Sequence, residues 1–89
     1  MLRLSEAQVS ESAYRHGLTV DEIRHAWTNA IAFFDIDREH EPIKSLCIGP
    51  DTAGNLLEVL YLQLPDGDLV IHAMPLRSAF RALLTGGSR

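Results

Sequence analysis

The stretch Asn55–Arg77, NLLEVLYLQLPDGDLVIHAMPLR, leaves this chain few ways to fold. Two apolar runs flank Pro65-Asp66-Gly67-Asp68. Proline presets φ, aspartate bonds its own backbone and glycine supplies φ > 0, so the insert turns the chain back as a β-hairpin. A loop of two or four residues is expected to pair Leu64 with Leu69, Leu62 with Ile71, Leu60 with Ala73 and Tyr61 with His72. One face then carries Leu56, Leu60, Leu62, Leu64, Leu69, Ile71 and Ala73, interrupted only by Glu58. The other carries Leu57, Val59, Tyr61, Gln63, Val70, His72 and Met74. A slip of one residue would set the leucine row beside His72 and Met74, so the pattern favours this register. The leucine face reads as core and the second as a mixed surface open to a ligand.

Length sets the scale around that hairpin. Eighty-nine residues with 46% hydrophobic side chains suit one globular domain, residues 1–89, with a single core. No apolar run approaches the roughly 20 residues of a membrane span, and Met-Leu-Arg-Leu-Ser-Glu is unlike a signal peptide, so a cytoplasmic setting with no membrane partner is expected. Cys47 is the only cysteine, which excludes an internal disulfide and a cysteine-rich zinc site. The net charge of −4 is unevenly spread. Residues 1–68 hold five basic and twelve acidic side chains, whereas residues 69–89 hold Arg77, Arg81 and Arg89 with no acid. Nucleic-acid binders are usually basic overall, so any RNA contact belongs to the C-terminal end, or that end meets an acidic protein.

Along the chain, a first helix is expected from about Ser5 to His16, capped by Ser5 and stopped by Gly17. A second opens on the capping box Thr19-Val20-Asp21-Glu22 and carries Val20, Ile23, Trp27, Ala30 and Ile31 on one stripe. Ala32, Phe34 and Ile36 alternate with Phe33, Asp35 and Asp37 as a strand, and Ile43–Ile48 forms the next. If Gly49 pairs with Asn55, Leu46 and Ile48 join the leucine face and Ser45 and Cys47 the other. After Pro75, Leu76, Phe80, Leu83 and Leu84 mark a short terminal helix that fades at Gly86-Gly87. The expected fold class is α+β: an N-terminal αα-hairpin covering the leucine face of an antiparallel meander of three to four strands, then a C-terminal helix.

Tyr61 and His72, facing each other, would serve either as a proton-transfer pair or as an ordinary cross-strand aromatic pair. Arg77 and Arg81, four apart and away from Phe80 and Leu84, either clamp a phosphate or form a solvated helix face. Glu58, opposite Pro75, is placed to partner Arg77, either locking the terminal helix to the sheet or taking part in catalysis. Gln63 lies beside Tyr61 on the same face, within reach of RNA. His16, His25 and His40 fall in different elements without metal-ligand spacing, and His16 closes a helix. Asp35, Asp37, Glu39 and Glu41 read as a solvated acidic edge that discourages edge-to-edge aggregation. No metal and no cofactor is expected.

Tyr14-Arg15-His16-Gly17-Leu18-Thr19 followed by Asp21-Glu22-Ile23 resembles the KHGVS-EEA opening of the BrnT-like toxins of type II toxin–antitoxin systems. Ser45-Leu46-Cys47-Ile48-Gly49 and Leu56-Leu57-Glu58-Val59 resemble their LIG and GRLLVV strands, and Val70-Ile71-His72-Ala73 sits where they carry IISAR. The family's serine falls at His72 and its arginine at Met74, with the nearest arginine, Arg77, three positions on. The resemblance implies a RelE/ParE-type fold and a divergent endoribonuclease that cleaves mRNA and is neutralised by a cognate antitoxin. For such an activity the mixed sheet face would supply the site, with Tyr61, His72 and Arg77 as catalytic residues and Arg81 and Gln63 as RNA contacts. The alternative is a non-catalytic domain of the same fold that binds a partner protein or a second copy as a homodimer.

Overall fold

The computed structural model describes residues 8–84. Strand β1 (Gln8–Val9) leads into a 3-10 turn (Glu11–Tyr14) and helix α1 (Val20–Thr28). Strands β2 (Ala32–Asp37), β3 (Lys44–Pro50), β4 (Leu56–Leu64) and β5 (Gly67–Pro75) follow, then helix α2 (Ser78–Leu84). They form one five-stranded mixed sheet in the order β1-β5-β4-β3-β2, with β1 parallel to β5 and the rest antiparallel. The αα-hairpin on a meander of three to four strands, and the RelE/ParE-type layout it matches, are therefore corrected. The class is α+β, but one helix lies between strands and the other at the C-terminal end.

The first expected helix gives way to bonds across the sheet. Val9, Ser10 and Ser12 are weak helix formers whose backbone or hydroxyl groups bond more profitably elsewhere. The Ser10 N–H donates to the Val70 carbonyl (2.8 Å), and the Ser12 hydroxyl donates to the Ile71 carbonyl (2.7 Å). Ser10 caps the 3-10 turn instead, while Ser5 lies outside the described residues, as does Gly86-Gly87. Gly17 does end this segment, at φ +86° with its N–H donating to the Tyr14 carbonyl.

Helix α1 forms where the capping box places it. The Thr19 hydroxyl accepts the Glu22 N–H and the Glu22 carboxylate accepts the Thr19 N–H. Its stripe buries Ile23, Ala26 and Trp27, while Val20 and Ile31 stay exposed. The stripe packs on Cys47, Leu57, Val59, Tyr61, Val70 and Ala73, so the core is the face expected to be open. Gly49 explains the choice. A Cβ there would sit 2.0 Å from the Ala26 carbonyl oxygen, so only a bare backbone lets α1 lie this close. Trp27 and Tyr61 then meet edge to face, ring centroids 4.6 Å apart.

The leucine face looks away from α1. Leu46 and Ile48 are buried at its centre, while Leu60, Leu62 and Leu69 are half-buried and Leu64 is exposed. The β3–β4 register pairs Gly49 with Leu57, not Asn55. That slip is of two residues, which preserves faces, so Leu46 and Ile48 do share the face of Leu60. The hairpin departs differently. Its loop is Pro65-Asp66 alone, pairing Leu64 with Gly67, Leu62 with Leu69 and Tyr61 with Val70. A bulge at Ile71 then shifts the register by one, so Leu60 faces His72 and Val59 faces Ala73.

Candidate functional site

The bulge decides where the hairpin's chemistry lies. Expected to face each other, Tyr61 and His72 are sent to opposite sides of the sheet. Tyr61 is 7% exposed in the core, and burial pushes its phenol up to about 12. A phenol so placed meets no solvent-borne substrate. Gln63 shares that side, donating to the Ser45 hydroxyl (2.7 Å), which in turn donates to Asp35 (2.9 Å). Ser45 holds the Asp35 carboxyl below the ordinary range, with Arg38 and Gln63 adding to the effect. This network is satisfied within itself and stands apart from His72.

His72 instead joins Glu58. The carboxylate stands across from Met74, next to Leu60 and its partner His72, on the leucine face and fully buried. A buried carboxylate needs donors, and four reach it. His72 Nε2 donates to Oε2 (2.9 Å). The Arg77 N–H and Nε donate to Oε1 (3.0 and 3.1 Å), and Nη2 donates to Oε2 (2.6 Å). Burial raises the Glu58 carboxyl, but the Arg77 and His72 hydrogen bonds outweigh it and hold the group below the usual carboxylate range. The expected Glu58–Arg77 pair is thus present, locking the chain where it leaves β5 for α2. Leu76 supports it, its N–H donating to the Leu56 carbonyl (3.0 Å).

A second imidazole completes the cluster. The serine contacts of the 3-10 turn tie it to β5, burying Ala13, and the turn at Gly17 holds His16 beside His72. Their ring centroids are 5.3 Å apart, edge to face. With Nε2 given to Glu58, Nδ1 is the His72 ring nitrogen turned away from the carboxylate, and the side chain is 22% exposed. Arg77 is half exposed and lies over the Phe80 ring at 5.4 Å from the centroid, not away from it. Arg81, one turn into α2, is exposed. Of the expected site residues, the fold gathers His72 and Arg77, sets Arg81 in the helix that follows, and separates Tyr61 and Gln63. His16 was readable only as a helix-closing residue, because nothing in its spacing points to β5. Glu58 was signalled by its charge in a leucine row.

Among the described residues, no group of His, Cys, Asp and Glu side chains has the arrangement of a metal site. No helix among them is long and apolar enough to cross a membrane. Comparison of the chain with protein-family models, with curated proteins and with solved structures found no match in any of the three.

Proposed function

We propose that this protein is a toxin-like endoribonuclease that acts through His16, His72, Glu58 and Arg77 and is held in check by an antitoxin protein. The observation that carries the reading is the imidazole pair, one ring of which is held by a buried carboxylate beside an arginine. RNA contains its own nucleophile, the ribose 2′-hydroxyl. Cleavage needs one group to take that proton, a second to protonate the departing 5′-oxygen and a cation for the phosphate. His72, oriented by Glu58, is the base. His16 is the acid, and the exposed part of the Arg77 guanidinium meets the phosphate. Resemblance to the BrnT-like toxins supports the same class.

Induced expression of the chain, with growth and cellular RNA followed, tests this reading. Growth arrest with RNA cleavage is expected, and His16→Ala should lower the cleavage rate by about 10²–10⁴-fold with thermal melting nearly unchanged. His72→Ala should lower it alike but also lower the melting temperature, because it takes a donor from the buried Glu58 carboxylate. Tyr61→Phe should cleave normally. Intact RNA and normal growth with a folded protein would overturn the proposal. One observation favours a second reading, a non-catalytic interaction domain. Glu58 already engages the Arg77 backbone, Nε and Nη2, as a purely structural clamp would. Under that reading, His72→Ala and His16→Ala leave cells unaffected while Glu58→Ala loosens α2.

A further inference from the structure

The two edges of the sheet are treated differently. Beyond β5 the chain supplies its own cover, the β1 pairing and the Ser10 and Ser12 bonds to the Val70 and Ile71 carbonyls. Beyond β2, among the described residues, no strand follows. Ile31 (59%), Phe33 (44%) and Ile36 (40%) are exposed along this edge, an unusual density of large apolar groups for six or seven residues. Natural sheets blunt open edges with charge, proline or bulges. Here the blunting is confined to one half. The bulge between Asp35 and Asp37 and the acids Asp35, Asp37, Glu39 and Glu41 lie at the C-terminal half, opposed by Arg38 and by Lys44 across the ladder. The half from Ile31 to Phe34 carries no charge.

We infer that the β2 edge is a docking site for an extended segment of a partner protein. The segment adds as an antiparallel strand beside Ile31–Phe34, with its N-terminal lysines or arginines lying against Asp37, Glu39 and Glu41. The polarity selects the occupant. A second copy, pairing β2 with β2 about the strand's middle, would set the apolar half of each strand against the acidic half of the other. An acidic run also repels the phosphates of RNA. A basic extended segment satisfies both halves at once: its backbone takes the open ladder groups and its cations meet the acids. β2 is separated from β5, which carries His72, by β3 and β4, so such a segment anchors without itself filling the imidazole site. The inference stands whether or not the chain cleaves RNA.

Its test uses the nitrogen-15-labelled full chain and a capped octapeptide of two lysines followed by alternating threonine and valine. The controls are the same peptide with glutamates in place of the lysines, and one N-methylated at alternate residues. Saturable amide shifts confined to residues 31–41 are expected. The glutamate peptide should bind about tenfold more weakly at low salt, and the N-methylated peptide should not bind. Ile31→Lys should weaken binding while leaving the melting temperature unchanged, and Phe33→Lys should weaken it with a lower melting temperature, since the Phe33 ring also meets Trp27 and Tyr61 edge to face. No shift at millimolar peptide, or shifts elsewhere on the sheet, would overturn the inference. So would sedimentation as a dimer that Ile31→Lys dissociates, which would assign the edge to a second copy. No RNA enters the readout, so this failure is distinct from failure of the nuclease reading.

Discussion

Glu58 and Tyr61 lie three residues apart on β4, yet point to opposite sides of the sheet and meet opposite electrostatic fates. Glu58 is buried but surrounded by donors, so its carboxyl is held below the ordinary range. A group depressed on folding stabilises the protein fully above its unfolded pKa, near 4.3 for glutamate. That contribution is lost as pH falls through the folded value. Urea unfolding below about pH 4.3 should therefore show the wild type losing stability faster than Glu58→Gln, with the acid-dependent gap between the two shrinking. Tyr61 is buried without a charge to favour the phenolate, so its absorbance titration should have its midpoint near 12, well above an exposed tyrosine. A midpoint near 10 would return Tyr61 to the accessible surface.

The decisive contact at the scale of elements is α1 against β3. Gly49→Ala must push Ala26 and its helix away from the sheet, because the new Cβ would sit 2.0 Å from a backbone oxygen that cannot rotate aside. The expected loss is about 1–3 kcal/mol or more, read as a lower urea midpoint. A neutral substitution would mean that α1 sits farther from β3. The strands and α1 were legible because their periodicity and capping are local properties of Thr19–Asp37 and Lys44–Pro75. The first helix was misread because hydroxyl residues that suit a capped helix start equally suit a strand followed by a 3-10 turn. What separates the two is the cross-chain bond from Ser12 to Ile71, a residue 59 positions away.

For the molecule as a whole, the leading question is which side of the sheet is the core. Leu57, Val59 and Val70 are buried in the core on the α1 side of the sheet, whereas Leu62 is only half-buried on the far face. Leu57→Ala should therefore cost about 2–5 kcal/mol, and Leu62→Ala distinctly less, by denaturant unfolding. Equal losses would make the leucine face the principal core after all. The same assignment organises function. The covered face holds Tyr61 in the core and links Gln63, Ser45 and Asp35 by hydrogen bonds, and the opposite face holds the imidazoles, Glu58 and Arg77.

The amino-acid pattern alone determined the hairpin, the helix after Thr19, the placement of Leu46 and Ile48 with Leu60, and the partnership of Glu58 with Arg77. Each follows from local periodicity or from a charge that burial obliges to find a partner. The pairing of His72 with Glu58 and the approach of His16 were decided only in three dimensions. They depend on a one-residue bulge at Ile71 and on a serine-tethered turn crossing to β5. A shift of a single residue exchanges the faces of a strand: the alternation favours the register that sets Tyr61 beside His72, and only the bulge overrides it.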